Sequence, residues 1–183
     1  TRAELIEKFN WEHVGQTGAR FDGKKFQHVQ AHHLRQLAPA QLAAHVAPFL
    51  AKRGLQVAPD DAKLIAAAPL IAPRATTFVD AAEALDYFFR DPPEYDPKAK
   101  AKFLVGDKLE LSHQLAEVLA PVEPWQAAPL EAAVKSWLEQ KGLELKEVAQ
   151  PARVALTGRT ASPGLYEVLE LLGRERSLAR LRA

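Results

Sequence analysis

Between Pro151 and Leu165 the chain gathers Arg153, Thr157, Gly158, Arg159, Thr160, Ser162, Pro163 and Gly164. Gly158 is placed to stop a helix that carries Arg153, and Pro163-Gly164 to launch another that buries Leu165, Val168 and Leu169. The turn between them would bring a guanidinium fork, loop hydroxyls, free backbone groups and an apolar surface into one small area. Unpaired nucleic-acid bases are recognised by such a set: a fork to bond or stack, donors and acceptors for base edges, and an apolar face to pack on. An ordinary helix–loop–helix corner with a solvated arginine uses the same residue types, so the residues alone leave both readings open.

Other chemistries find less support. His28 and His32 lie four apart and would share a helical face, but two imidazoles make half of a tetrahedral site, and the His-Glu-x-x-His pattern is missing. Solvated or RNA-facing histidines are the simpler reading. Ser112-His113 and Ser162 lack a Gly-x-Ser-x-Gly elbow or an oriented base. Gly15 and Gly18 lack the Gly-Lys-Ser/Thr ending of a phosphate loop. With no cysteine in the chain, disulfides, thiolate nucleophiles and Cys-ligated zinc are excluded together. No cofactor and no metal is therefore expected to be held by these residues.

The overall charge of +1 is too small to announce a nucleic-acid partner. Its distribution says more. From Arg153 to Ala183, Arg153, Arg159, Arg174, Arg176, Arg180 and Arg182 face only Glu167, Glu170 and Glu175, a local charge of +3 carried entirely by arginine. Arginine binds phosphates and base edges bidentately and stacks on bases, which lysine does poorly. Arg180, in the last helix, is expected to act on phosphate if it meets RNA. A helical protein-interaction module with a basic C-terminal surface would show the same charge pattern. Nothing resembles a signal peptide or membrane span, so a cytoplasmic location is expected. The chain opens at Thr1 without methionine, which suggests a piece of something longer.

The elements that must position these residues are helical. Apolar residues recur at helical spacing and no period-2 segment stands out. Phe26, Val29, His33 and Leu37 form one stripe; Phe78, Ala82, Leu85 and Phe89 a second, with Thr77 as N-cap and Asp80 in its first turn. Leu111, Leu115, Val118 and Leu119 form a third. Leu130, Ala133, Val134, Trp137 and Leu138 form a fourth, stopped by Gly142, and Leu165, Val168, Leu169 and Leu172 a fifth, stopped by Gly173. Pro39, Pro59 and Pro97 sit where helices could begin, with Asp60-Asp61 read as a helix N-terminus beside Pro59. Pro48, Pro69 and Pro73 should kink or end helices. The breaker cluster Asp91-Pro92-Pro93-Glu94-Tyr95-Asp96-Pro97 predicts a boundary between two helical subdomains. The expected fold class is all-α.

Three stretches resemble one family. Val154-Ala155-Leu156-Thr157-Gly158-Arg159-Thr160-Ala161-Ser162-Pro163-Gly164-Leu165-Tyr166-Glu167-Val168, continuing through Leu172-Gly173-Arg174-Glu175-Arg176 to Arg180-Leu181, closely resembles the C-terminal signature of bacterial-type glutamyl-tRNA synthetases. Leu5-Ile6-Glu7-Lys8-Phe9 and Ala19-Arg20-Phe21-Asp22-Gly23-Lys24-Lys25-Phe26, ending in His33-Leu34-Arg35, is similar to the family's segment after the catalytic core. Ala72-Pro73-Arg74-Ala75-Thr76-Thr77-Phe78, leading to Asp86-Tyr87-Phe88-Phe89, is similar to its middle helices. They fall in the family's order and cover nearly the whole chain.

The resemblance implies the α-helix cage that binds the anticodon. Residues 1–36 would end a stem-contact region, with residues 37–96 and 97–183 forming two helical anticodon-binding subdomains. It implies a parent that ligates glutamate to tRNA(Glu) with ATP and magnesium. The family's His-Ile-Gly-His and Lys-Met-Ser-Lys-Ser type motifs have no counterpart here and would lie before Thr1. This chain alone should then be inactive in aminoacylation. Matched by position, Arg153 corresponds to the family's anticodon-reading arginine, and Ser162, Pro163 and Leu165 to loop residues that pack on and bond to anticodon bases. Arg74 corresponds to an arginine that in some members tests the last anticodon base. Here Pro73 stands where an acidic residue is more usual. The implied partner is the tRNA(Glu) anticodon stem-loop, bound by a monomer.

Overall fold

The computed structural model describes residues 1–183 except Gln16 and Ala19. Ala19, which opens the second segment of that stretch of resemblance after Leu5–Phe9, thus lies outside the described residues. Those described form eleven α-helices and two 3-10 turns, with no strand. In chain order the helices are α1 (Arg2–Lys8), α2 (Gly23–Arg35), α3 (Pro39–Lys52), α4 (Ala62–Ile71), α5 (Phe78–Phe89), α6 (Pro97–Phe103), α7 (Gly106–Leu119), α8 (Ala127–Lys141), α9 (Leu145–Thr157), α10 (Leu165–Leu172) and α11 (Arg174–Leu181). The all-α expectation holds.

Local signals set most boundaries. Thr77 and Asp80 form a reciprocal capping box at the start of α5, satisfying backbone donors that the first helical turn leaves free. Gly142 ends α8 at φ 65°. Pro39 and Pro97 begin α3 and α6. Pro59 does not begin α4. That helix starts three residues later, where Asp61 accepts from the Leu64 amide at 2.8 Å, because an aspartate cap satisfies a free donor and a proline merely tolerates the position. Pro48 and Pro69 lie inside α3 and α4 without ending them, while Pro73 belongs to a 3-10 turn.

Helices α3, α4 and α5 pack on one another, and α7, α8, α9, α10 and α11 form a second packed group. A single apolar core runs through both, from Leu50, Leu64, Ile71, Leu85 and Phe88 to Leu115, Leu119, Leu130, Leu156 and Leu169. Each such side chain contributes about 1.5–3 kcal/mol by leaving water. The segment between α5 and α6 breaks the helix, as its prolines dictate, but it is tied down. The Asp96 amide donates to Gly158 O at 2.9 Å, and the Tyr95 hydroxyl donates to Ala155 O at 3.2 Å.

The α2 stripe departs from expectation. Phe26 and Val29 are 47% and 43% exposed, and α2 buries Ala31 and Leu34 instead. The stripe lies along an open groove with Leu37, Phe49 and Phe78, which leaves its outer edge in water.

A candidate nucleic-acid interface

The turn from α9 into α10 is built by its own residues. Thr157 folds its hydroxyl back onto Arg153 O at 2.8 Å and also bonds to Arg159 O, so the last turn of α9 is closed by a side chain. Gly158 then reverses the chain at φ 75°. A Cβ there would stand 3.0 Å from Glu94 O and 3.1 Å from the Pro92 side chain, so glycine is required by both backbone and space. Gly164 caps α10, whose Leu165, Val168 and Leu169 enter the core as anticipated.

The five matched residues do not meet at one point. Arg74, Ser162 and Pro163 line the same cleft of about 270 Å³, between the 3-10 turn before α5 and the α9–α10 loop. Its size falls just below the 300–1,000 Å³ of typical small-molecule sites, which suits one planar base and not a whole nucleotide cofactor. Ser162 is buried, its hydroxyl donating to Pro163 O at 3.1 Å, and Leu165 is a core residue only 5% exposed. Leu165 therefore shapes the loop from beneath. Arg153 is not among the residues lining the cleft.

Sequence reasoning missed two groups in this cleft, Glu83 and Tyr87, and named Arg159 in the loop without pairing it across to α5. Arg159 reaches across to Glu83 at 3.1 Å, joining the loop to α5, with both side chains about half exposed. The Tyr87 hydroxyl is buried without a hydrogen-bond partner, and burial pushes its pKa up, so it remains a protonated donor. Helical spacing alone marks Glu83 and Tyr87 as neighbours one turn apart, but their meeting with the loop depends on the packed fold.

The arginine-rich C-terminus is mostly internal stitching. Arg174 pairs with Glu123, donates to Val122 O and lies over the Trp125 ring; Arg176 donates to Phe88 O at 2.7 Å; Arg182 pairs with Glu117. Arg180 is 5% exposed and donates to Asp91 Oδ1, Leu156 O and Arg90 O at 3.0, 2.6 and 2.8 Å. The expectation that Arg180 serves phosphate is therefore wrong. Its fork is consumed by α9 and by the end of α5, acceptors 24 to 90 residues away that no composition reveals. Arg153 differs from these neighbours: its Nε is buried with no partner, and its guanidinium enters no ion pair among the described residues. Arg74 is exposed and likewise unpaired among the described residues.

Among the described residues no three His, Asp or Glu side chains group as a metal site, and no helix is long and apolar enough to cross a membrane.

Comparison with known proteins agrees with the resemblance. The family model described as "Anticodon binding domain" matches residues 41–183. The glutamate–tRNA ligases of Desulfosudis oleivorans and Syntrophobacter fumaroxidans are each 40% identical over 181 residues, covering 99% of this chain and 38% of theirs. The chain thus spans under two-fifths of the length of these relatives. A solved glutamate tRNA ligase from Elizabethkingia meningosepticum, in complex with its amino acid, superimposes with a TM-score of 0.85 at 25% identity, over 98% of this chain and 35% of that one.

Proposed function

The chain belongs to the anticodon-binding domain family, and on that premise we propose that it is the anticodon-recognising part of a glutamate–tRNA ligase acting on tRNA(Glu). The observation that carries this reading is the family match over residues 41–183, extended through nearly the whole chain by relatives of one activity. Its work is selection by binding.

In this reading Arg153 is the principal base reader. Its Nε is buried beyond a ligand's reach, but the residue is only partly buried and its guanidinium enters no ion pair among the described residues, so its outer N–H groups are free to donate to a splayed base. Arg74, at the mouth of the cleft, donates to a second base whose ring packs against Pro163, while Ser162 and Leu165 hold the loop in shape. The complete ligase would use ATP and magnesium. The sequence carries no Gly-Lys-Ser/Thr phosphate loop, and among the described residues no three His, Asp or Glu side chains cluster as a ligand set, so no residue here is assigned to either group. We further propose a monomeric, cytoplasmic protein.

The test is titration of the folded chain with two RNA hairpins of one stem, bearing a glutamate anticodon or a scrambled one, at one fixed salt concentration. Preference for the glutamate anticodon is expected. Equal affinity for both would sink the reading and favour a general basic surface.

A further inference from the structure

We propose that Glu83 selects a cytosine in the cleft between α5 and the α9–α10 loop, with Arg159 as the residue that positions its carboxylate. This rests on the proposed function and deepens it. The charges of the cleft favour a neutral ligand: Arg74 and Arg159 are balanced there by Asp80 and Glu83, which leaves a phosphate no net attraction. Its apolar walls, Ile71, Ala84, Ala161 and Pro163, suit the faces of a planar ring.

The polar groups still free to bond decide which ring edge fits. Asp80 is consumed, its Oδ2 accepting from the Thr76 and Thr77 amides at 3.2 and 2.9 Å. Ser162 donates to Pro163 O, and the Tyr87 hydroxyl is buried beyond a ligand's reach. Two groups remain. The exposed Arg74 fork, unpaired among the described residues, supplies adjacent N–H donors. Arg159 meets Glu83 at Oε1, 3.1 Å away, and Glu83 Oε2 accepts no hydrogen bond among the described residues, so it keeps its acceptor sites. Two donors beside one acceptor match the pairing edge of cytosine, whose O2 and N3 accept and whose amine donates, a pairing that carboxylates make with that amine. Uracil would turn a carbonyl toward the carboxylate and leave both unpaired. Guanine would need both oxygens of Glu83 for its two adjacent donors, and Arg159 holds one.

The genetic code agrees with this selection. Glutamate codons are GAA and GAG, so their anticodons keep uracil in the middle and cytosine at the end, while the first base varies. A cytosine-selective cleft therefore takes the last base.

The test measures affinities at one fixed salt concentration for hairpins of one stem whose glutamate anticodon ends in cytosine, uracil or guanine, beside the scrambled hairpin. The wild type should prefer cytosine to uracil by about 10-fold, the low side for a base contact because Glu83 is half exposed. E83Q keeps the size of the side chain, but its amide can turn an NH2 toward the uracil carbonyl, so that preference should fall to about 2-fold or less. R159A frees the second oxygen and should narrow the margin against guanine. E117Q, which removes an exposed carboxylate from an ion pair on α7, should leave every preference as it is. Circular dichroism checks that each variant is folded. An E83Q variant that keeps the wild-type preference, or changes affinity equally on all three hairpins, would overturn the selection by Glu83 and leave it a strut for the loop. An unchanged guanine margin in R159A would overturn the role of Arg159. A wild type that prefers the glutamate hairpin to the scrambled one but is blind to its last base would overturn the inference alone, whereas no preference between those two would overturn the proposed function.

Discussion

Replacing Arg180 with alanine tests whether the C-terminal arginines stitch the fold together. The side chain is 5% exposed and makes three charge-assisted hydrogen bonds. Asp91 is 80% exposed and recovers water when the arginine is removed, so its bond adds little to the loss. Leu156 O and Arg90 O lose a donor inside the fold, and each such carbonyl costs about 1–3 kcal/mol when left unsatisfied. The expected loss is about 2–5 kcal/mol, since water admitted by the truncation relieves part of it. For a chain of this size that lowers Tm by about 5–15 °C. Lysine should rescue only partly, because one ammonium cannot reach three acceptors that a planar fork spans. Thermal and urea melts followed by helical circular dichroism provide the assay. A loss below about 0.5 kcal/mol, the size of an ordinary surface change, would refute the reasoning and return Arg180 to the RNA-facing set.

Two further perturbations follow from the same packing. Burial raises the Asp86 carboxyl, but hydrogen bonds from Arg90 and Arg53 outweigh it and hold the carboxyl below the ordinary aspartate value of 3.8. A depressed folded pKa contributes stability that is fully present above that value and lost as pH falls through the folded one. Asp86→Asn should cost about 2–3 kcal/mol near neutrality, below the 3–5 kcal/mol typical of a fully buried pair because both arginines are about one-third exposed. Urea melts from pH 6 to pH 3 should show the gap between wild type and variant narrowing below about pH 4; a constant gap contradicts the assignment. Gly158→Ala should lose about 2–4 kcal/mol, combining left-handed backbone strain with a Cβ pressed against Glu94 O, and a variant as stable as wild type would show that the turn is less constrained than its geometry implies.

Much of the fold is legible in the sequence because its signals are local. The Thr77–Asp80 box, the glycine stops at Gly142 and Gly158 and the heptad-like stripe from Leu130 to Leu138 each depend on residues within a few positions. What the sequence hides is the partner of a long side chain. Arg176 reaches Phe88 O across 88 residues and Arg180 reaches Arg90 O across 90, so a local charge of +3 overstates the surface available to RNA. The same limit applies in the cleft, where Glu83 and Tyr87 meet the α9–α10 loop only once α5 is packed. The Phe26–Val29 stripe shows the converse: helical periodicity identifies an apolar face but not whether this chain covers it.

The central claim is that Arg153 reads a base, and its most direct test is Arg153→Ala titrated against the glutamate-anticodon and scrambled hairpins at one salt concentration, with circular dichroism confirming the fold. By analogy with bidentate base contacts in DNA, losing one should cost about 1–3 kcal/mol, or about 5- to 150-fold. The account predicts that loss on the glutamate hairpin and little change on the scrambled one; equal losses on both would reduce Arg153 to a phosphate contact, and no loss on either would place the binding site elsewhere.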